Sequence, residues 1–206
     1  PPPPPPTGPP PAANPPPPPH PTIPHRPRPR PSSPRTTLDT PYNTTIPPIL
    51  EYGDILFDNC GEVLSNLIES VQFRAARTCT GAFITTNKDK LIIELGWESL
   101  KTRRLCHKYI QFYKMKNGLT PLYLQMLCPP RVAETTNYNL RNKANYRPPT
   151  SKKNLYKSSF IPAVSNLWNN LDPEIKNSVS LPIFKSNLKK RFSPKSPPSY
   201  YKNGHR

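Results

Sequence analysis

Several kinds of chemistry are missing from this sequence. Its five aspartates, Asp39, Asp54, Asp58, Asp89 and Asp172, stand apart from one another, so no adjacent pair offers to hold two metal ions for phosphoryl transfer. Seven scattered glycines make no phosphate-cradling loop, and no Gly-x-Ser-x-Gly elbow presents a nucleophile. Cys60, Cys79, Cys106 and Cys128 form no Cys-x-x-Cys pair. His107 follows Cys106 directly, and no second ligand pair stands at finger spacing, which excludes a zinc module. These cysteines read as buried free thiols of a reducing compartment, and hence as an intracellular protein, cytoplasmic or nuclear. No apolar run approaches the roughly 18 residues of a bilayer span, and no signal peptide is recognisable, so no membrane partner is expected. The chain opens on Pro1 rather than methionine, as a fragment or a translation lacking its start would. No catalytic constellation and no cofactor site emerge, and the chain is not expected to be an enzyme.

What is present is proline and positive charge. The chain has 206 residues, 34 of them proline, with 33% hydrophobic residues and a net charge of +17. About two-thirds of the prolines precede Ile49, so any core must come from the rest, and a modest core is expected. Residues 1–47 read as a disordered proline-rich arm. Pro1 to Pro6 and Pro15 to Pro19 are unbroken runs that lack amide donors and favour polyproline II. His25-Arg-Pro-Arg-Pro-Arg-Pro31 adds cations to the same backbone. The arm is either a spacer or a ligand for SH3-, WW- or profilin-type grooves.

The charge is uneven: +3 over residues 1–48, +2 over 49–134 and +12 over 135–206. A nearly balanced middle suits a folded domain. A cationic last third suits a polyanion, nucleic acid or an anionic membrane, unless it is merely a solvated tail.

The hydrophobic pattern from Glu62 onward is helical. Leu64, Leu67, Ile68, Val71, Ala75 and Cys79 follow i, i+3, i+4 spacing, with Glu69, Gln72, Arg74 and Arg77 pointing elsewhere and Gly81 as the stop. Asn87 caps a helix from Lys88 to Leu95, closed by Gly96. Ser99 caps the next, running to about Lys116 with Leu100, Cys106, Tyr109, Ile110 and Tyr113 on its apolar side. Thr120-Pro121 opens a short helix through Leu127. Residues 131–157 are polar and basic and read as extended loop. Pro162 opens a helix carrying Leu167, Trp168 and Leu171, and Ser180 caps a last one with Ile183, Phe184, Leu188 and Phe192. The run Ile49 to Phe57 fits a helix end or a strand equally well. Residues 48–130 thus form a helical region, 131–192 a basic loop plus C-terminal helices, and 193–206 a disordered tail. The fold class is mainly α.

The remaining chemistry is for binding. Tyr138, Arg141, Lys143, Tyr146, Arg147, Lys152, Lys153, Tyr156 and Lys157 interleave aromatics with cations, which suits stacking on bases and neutralising phosphates. Lys189, Lys190 and Arg191 add charge to the last helix, and Arg74 and Arg77 stand one turn apart. His107, without a partner motif, reads as a surface or boundary histidine. Cys106 reads as an inert thiol.

An ordered series of short motifs runs through the same region. Pro48-Ile-Leu-Glu-Tyr-Gly53 precedes Ile68-Glu-Ser-Val-Gln-Phe-Arg-Ala-Ala-Arg77, Gly81-Ala82 and Glu94-Leu-Gly-Trp-Glu-Ser-Leu100. Arg103-Arg104, Tyr113-Lys-Met-Lys-Asn-Gly-Leu119, Pro121-Leu-Tyr-Leu124, Tyr138-Asn-Leu-Arg-Asn142, Ser159-Phe-Ile-Pro162, Trp168-Asn169 and Phe184-Lys185 follow. From about Pro48 to Phe192 this order resembles the C-terminal end of non-LTR (LINE-type) retrotransposon reverse transcriptases, beyond the polymerase active site. The resemblance implies a parent RNA-directed DNA polymerase whose aromatic-x-Asp-Asp motif lies upstream, with no positions here to map onto. It implies a catalytically empty remnant: a small thumb-like helical bundle behind the arm, binding RNA or DNA weakly and without sequence preference. Arg74, Arg77, Arg103 and Arg104 would grip a primer–template duplex if they face outward. Two departures stand out. Ile55-Leu-Phe57 occupies a place where relatives carry tryptophan. Lys101 occupies a place where a capping Glu is common, weakening that cap by a fraction of about 1 kcal/mol.

Overall fold

The computed structural model describes residues 35–138 and 140–192, together with Pro1. The proline runs, the Arg-Pro repeat and the expected tail lie outside the described residues. The fold is mainly helical, and the β structure among the described residues is an isolated bridge between Arg131 and Tyr146. No described helix is long and apolar enough to cross a membrane.

Helix α1, Arg35–Leu50, corrects the expected arm boundary at 47. Pro41, Pro47 and Pro48 lie inside it and each removes an amide donor. Tertiary contact outweighs that loss. Tyr42 is buried and its ring stacks on Trp97 with centroids 4.0 Å apart, while Leu38 and Ile46 pack on the same cluster. The ambiguous run resolves into the end of α1 and a short α2, Asp54–Phe57.

Helix α3, Glu62–Thr80, has the bounds its sequence implies, with Gly81 in the left-handed region at φ 62. Its first turns are rotated from the expected orientation, whereas Cys79 is buried and Arg74 exposed as expected. Leu64 and Leu67 are 56% and 59% exposed, and Val63 and Val71 are exposed beside them. Glu69, Gln72, Ala76, Cys79 and Thr80 are the buried side. The inward polar groups have partners that sequence spacing cannot show. The Gln72 amide donates to the Glu98 carbonyl at 2.9 Å, and Glu69 accepts from the Lys101 amide at 2.6 Å.

Helix α4, Lys88–Leu95, starts on Asn87, whose side chain accepts from the Asp89 and Lys90 amides, and stops at Gly96. Helix α5, Leu100–Lys116, starts on Ser99, whose hydroxyl accepts from Thr102 N at 3.1 Å. Helix α6, Leu122–Gln125, begins one residue later than expected, with Pro121 as its N-cap.

The segment expected as extended loop is instead folded back on itself. Short α7, Val132–Thr135, opens it. Val132 N and Ala133 N donate to the Asn145 and Lys143 carbonyls, and Arg147 N donates to Pro130 O. Short α8, Asn154–Ser158, leads into α9, Phe160–Asn169, α10, Pro173–Lys176, and α11, Leu181–Phe192.

Two apolar clusters result. The smaller joins α1, α3 and α4 around Tyr42, Ala76, Leu91 and Trp97. The larger joins α5 with α9, α10 and α11 around Phe112, Tyr113, Trp168, Phe184 and Leu188, and includes Tyr146. Phe112 meets Tyr146 edge-on at 5.0 Å, and Tyr113 stacks on Phe184 at 4.3 Å. A boundary after residue 130 would cut through this larger core, so 48–130 and 131–192 pack as one unit rather than as separate regions.

Candidate nucleic-acid interface

Helix α5 packs against α2, α3, α6, α9 and α11, and its cations divide between two surfaces. The surface toward α1 and α2 is internally neutralised. Arg103 forks onto Glu51, with Nη2 to Oε2 at 3.0 Å and Nε on Oε1. His107 Nδ1 meets Asp54 Oδ2 at 2.6 Å, and Asp54 is buried. Arg104, itself buried, donates from Nε to Asp58 Oδ1 at 2.7 Å and from Nη2 to Ser65 Oγ at 2.9 Å. Lys108 pairs with the other oxygen of Asp58. Acids at 51, 54 and 58 recur about once per helical turn, as do the bases at 103, 104, 107 and 108. The resulting ladder fixes the 49–58 segment to α5. Hydrogen bonding to Glu51 holds Arg103 still more firmly protonated than usual, against the opposing effect of burial.

Arg103 and Arg104 therefore do not present free guanidiniums, which corrects the expectation that they face a duplex. Arg104 is buried, so its acid partner is a structural requirement, while Arg103 is partly exposed. His107 is half-buried and paired, a partnership that links positions too far apart for a sequence motif.

The other surface is a groove between α5 and α11, of about 390 Å³. Ile110 and Leu188 line it, and Lys114, Lys185 and Lys189 bring charge to it. None of these three lysines has an acidic partner among the described residues. Their placement follows from the helix period. Lys185 and Lys189 are four apart on α11, and Phe184 and Leu188, likewise four apart, anchor the adjoining face in the core. The Cys106 thiol in the same groove is pushed up from 9.0 to about 11, chiefly by burial and then by Glu98, with Arg103 opposing. It stays protonated at neutral pH and is a poor nucleophile there.

The remaining sequence-selected cations are dispersed. Lys190 is exposed on α11, and Arg191 is exposed but tied to Asp172 at 3.0 Å. Arg74 is exposed on α3, while Arg77 is half-buried and its Nε has no partner. Arg141, Lys143, Arg147, Lys152, Lys153 and Lys157 are all exposed on the folded-back segment and α8. Of all these sequence-selected cations, only Arg103 and Lys189 line the α5–α11 groove.

The tyrosines also separate. Tyr138 is 81% exposed and Tyr156 45%, both free to stack. Tyr146 is 6% exposed and serves the core. Its backbone N–H donates to Asn169 Oδ1 at 2.9 Å, and Asn169 Nδ2 donates back to its carbonyl at 2.8 Å. Burial raises its hydroxyl pKa, and the Arg131 guanidinium, 5.8 Å over the ring, opposes that.

Lys114 and Lys185 escaped sequence selection. Lys185 stands four before Lys189, a detectable signal, but the pairing of α5 with α11 that makes a groove is long-range and carries no local mark. Among the described residues no group of three His, Cys, Asp or Glu side chains stands where it could hold a metal ion. No family model, no curated protein and no solved structure matches this chain.

Proposed function

We propose that this chain is a nucleic-acid-binding module without a catalytic centre of its own, equivalent to the region downstream of the polymerase core in a non-LTR retrotransposon reverse transcriptase. The observation that carries the binding reading is the α5–α11 groove. Three lysines converge there on a partly apolar floor, none of them in an ion pair among the described residues, with Glu98 the carboxylate on the groove's wall. An unpaired cationic cleft on a chain of net charge +17 attracts phosphate backbones and releases their counterions on contact. The motif order from Pro48 to Phe192 supports the family origin. The exposed stripe of Val63, Leu64, Leu67 and Val71 suits a helix that packs on a larger polymerase body in a longer protein.

Fluorescence anisotropy with a labelled RNA–DNA hybrid at low salt tests the reading. Binding that weakens steeply as salt rises supports it, and no binding at low salt removes it. Templated nucleotide addition by the purified chain would contradict the claim that it lacks a catalytic centre.

A further inference from the structure

The groove between α5 and α11 has a histidine on its wall as well as lysines. Arg103, His107, Ile110 and Lys114 stand four, three and four apart on α5, so one stripe of the helix turns all of them toward α11. His107 thus sits one turn from Arg103 and two turns from Lys114. Its ring is held from behind. Nδ1 meets Oδ2 of Asp54 at 2.6 Å, with the Asp54 side chain 5% exposed and that of His107 34%. Asp54 does not line the groove; it lines a separate cavity with residues of α6 and α9. The Nδ1 edge of the imidazole is therefore turned away from the groove, and the Nε2 edge is the one left to face it. Nε2 makes no hydrogen bond among the described residues. The charged groups on the groove side are Arg103 and Lys114 of α5, Lys185 and Lys189 of α11, and Glu98 of the α4–α5 turn. Arg103 is forked onto Glu51, and the neighbouring Lys108 is paired with Asp58. Glu98 acts on Arg103 and Cys106, and its Oε1 is buried.

We infer that His107 is a fourth phosphate contact of this groove, one that engages only when its ring is protonated. This rests on the nucleic-acid reading above and adds a proton-linked contact to it. Asp54 accepts from Nδ1–H in both states of the ring and so acts as a positioning residue. A neutral ring held this way presents a lone pair at Nε2, which a phosphate oxygen repels. A protonated ring keeps the bond to Asp54 and donates Nε2–H to the phosphate, a hydrogen bond strengthened by charge on both sides. Histidine is the side chain that changes charge between about pH 5 and 8, whereas lysine does not. Because the ligand prefers the protonated ring, binding tightens as pH falls through that interval.

The test is a titration of the labelled RNA–DNA hybrid with the full chain and with His107→Asn, at about pH 5.5 and about pH 8.5, over a series of salt concentrations. Asparagine places an N–H near the position of Nδ1, so the variant keeps a donor for Asp54 while losing Nε2. His20, His25 and His205 are present in both chains and cancel in the comparison. At the lower pH the unaltered chain should bind about fivefold or more tightly than the variant. Its slope of log K against log salt should also be steeper by roughly 0.7–0.9, the share of one phosphate contact. At the higher pH the two should bind alike, which also shows the variant to be folded. Equal affinities and slopes at both pH values overturn the inference and leave the lysine groove standing. A deficit of the same size at both pH values overturns it too, because the loss then does not depend on the proton. Hybrid added to the unaltered chain at the lower pH should also shift the His107 ring resonances, and an unmoved ring overturns the inference without any variant. If the unaltered chain does not bind at low salt at either pH, the groove fails and this contact fails with it.

Discussion

The Glu69 carboxylate of α3 accepts a hydrogen bond from the backbone amide of Lys101 in the first turn of α5, 2.6 Å away. A helix start has amides without intrahelical partners and a positive end of the macrodipole, and a carboxylate there answers both. Glu69 thus supplies from another helix what Lys101 lacks in its own sequence. It also brings Glu69 and Gln72 of α3 inward beside Ala76 and Cys79.

Removing this contact should cost stability where the hydrophobic pattern says it should not. Glu69→Ala is expected to lower unfolding free energy by about 1–3 kcal/mol, the range for a buried hydrogen bond to a charged group. Leu67→Ala, on the exposed stripe, should change it by less than about 0.5 kcal/mol. Urea unfolding followed by far-ultraviolet dichroism measures both, and the opposite ranking would restore the orientation read from periodicity.

The ladder on α5 gives a second expectation. Asp58 holds Arg104 and Lys108 together, and Arg104 is buried. Asp58→Ala leaves a buried guanidinium with only Ser65 and a distant Glu69, so a loss of about 3–5 kcal/mol is expected. Asp58→Asn restores the shape without the charge and should recover only part. A denaturant midpoint unchanged in Asp58→Ala would show that the ladder is ornamental.

Tyrosines that look alike in sequence should behave oppositely. Tyr146→Ala opens the core beneath Phe112, and a loss near 3–5 kcal/mol is expected, as for other large aromatic truncations. Tyr138→Ala and Tyr156→Ala should leave stability unchanged and weaken single-strand binding by about 1–3 kcal/mol each if they stack on bases. Thermal melts and titrations with a labelled single-stranded RNA on the three variants separate the two roles.

Stability should also fall in alkali. Cys106 rises from 9.0 to about 11 and Tyr42 from 10.0 to about 12 in the folded chain, both mainly through burial. Between the unfolded and folded values the unfolded chain has released a proton that the folded chain retains. Stability is therefore whole below about pH 9 and declines as pH rises toward 12. Cys106→Ser and Tyr42→Phe should each flatten part of that decline in urea midpoints taken from pH 8 to pH 12.

Local rules carry far in this chain, and long-range ones do not. Asn87, Ser99, Gly81 and Gly96 mark helix ends correctly because caps act within a turn. Leu100, Tyr109 and Tyr113 are buried as their spacing implies. The apolar face of α3 misleads because periodicity finds a stripe but not what covers it. Proline content hid α1 because Tyr42 and Trp97, which hold it, are distant in sequence. Long stretches of sequence likewise separate Glu51 from Arg103, Asp54 from His107, and Lys114 from Lys185, so neither the neutralised surface nor the groove had a sequence signature. Of the cations chosen from sequence, Lys189 belongs to the groove as an unpaired charge, Arg103 lines it while held by Glu51, and Arg104 belongs to the fold.

The most direct measurement is the salt dependence of binding to an RNA–DNA hybrid, compared between the full chain and a Lys114→Gln, Lys185→Gln, Lys189→Gln variant. For every phosphate that the variant leaves without its lysine, the slope of log K against log salt should flatten by somewhat under one unit, roughly 0.7–0.9. The groove therefore predicts a slope flatter by about two units or more in the triple variant, with an unchanged denaturant midpoint. An unaltered slope in a folded triple variant would place the phosphates elsewhere on the surface and contradict the account.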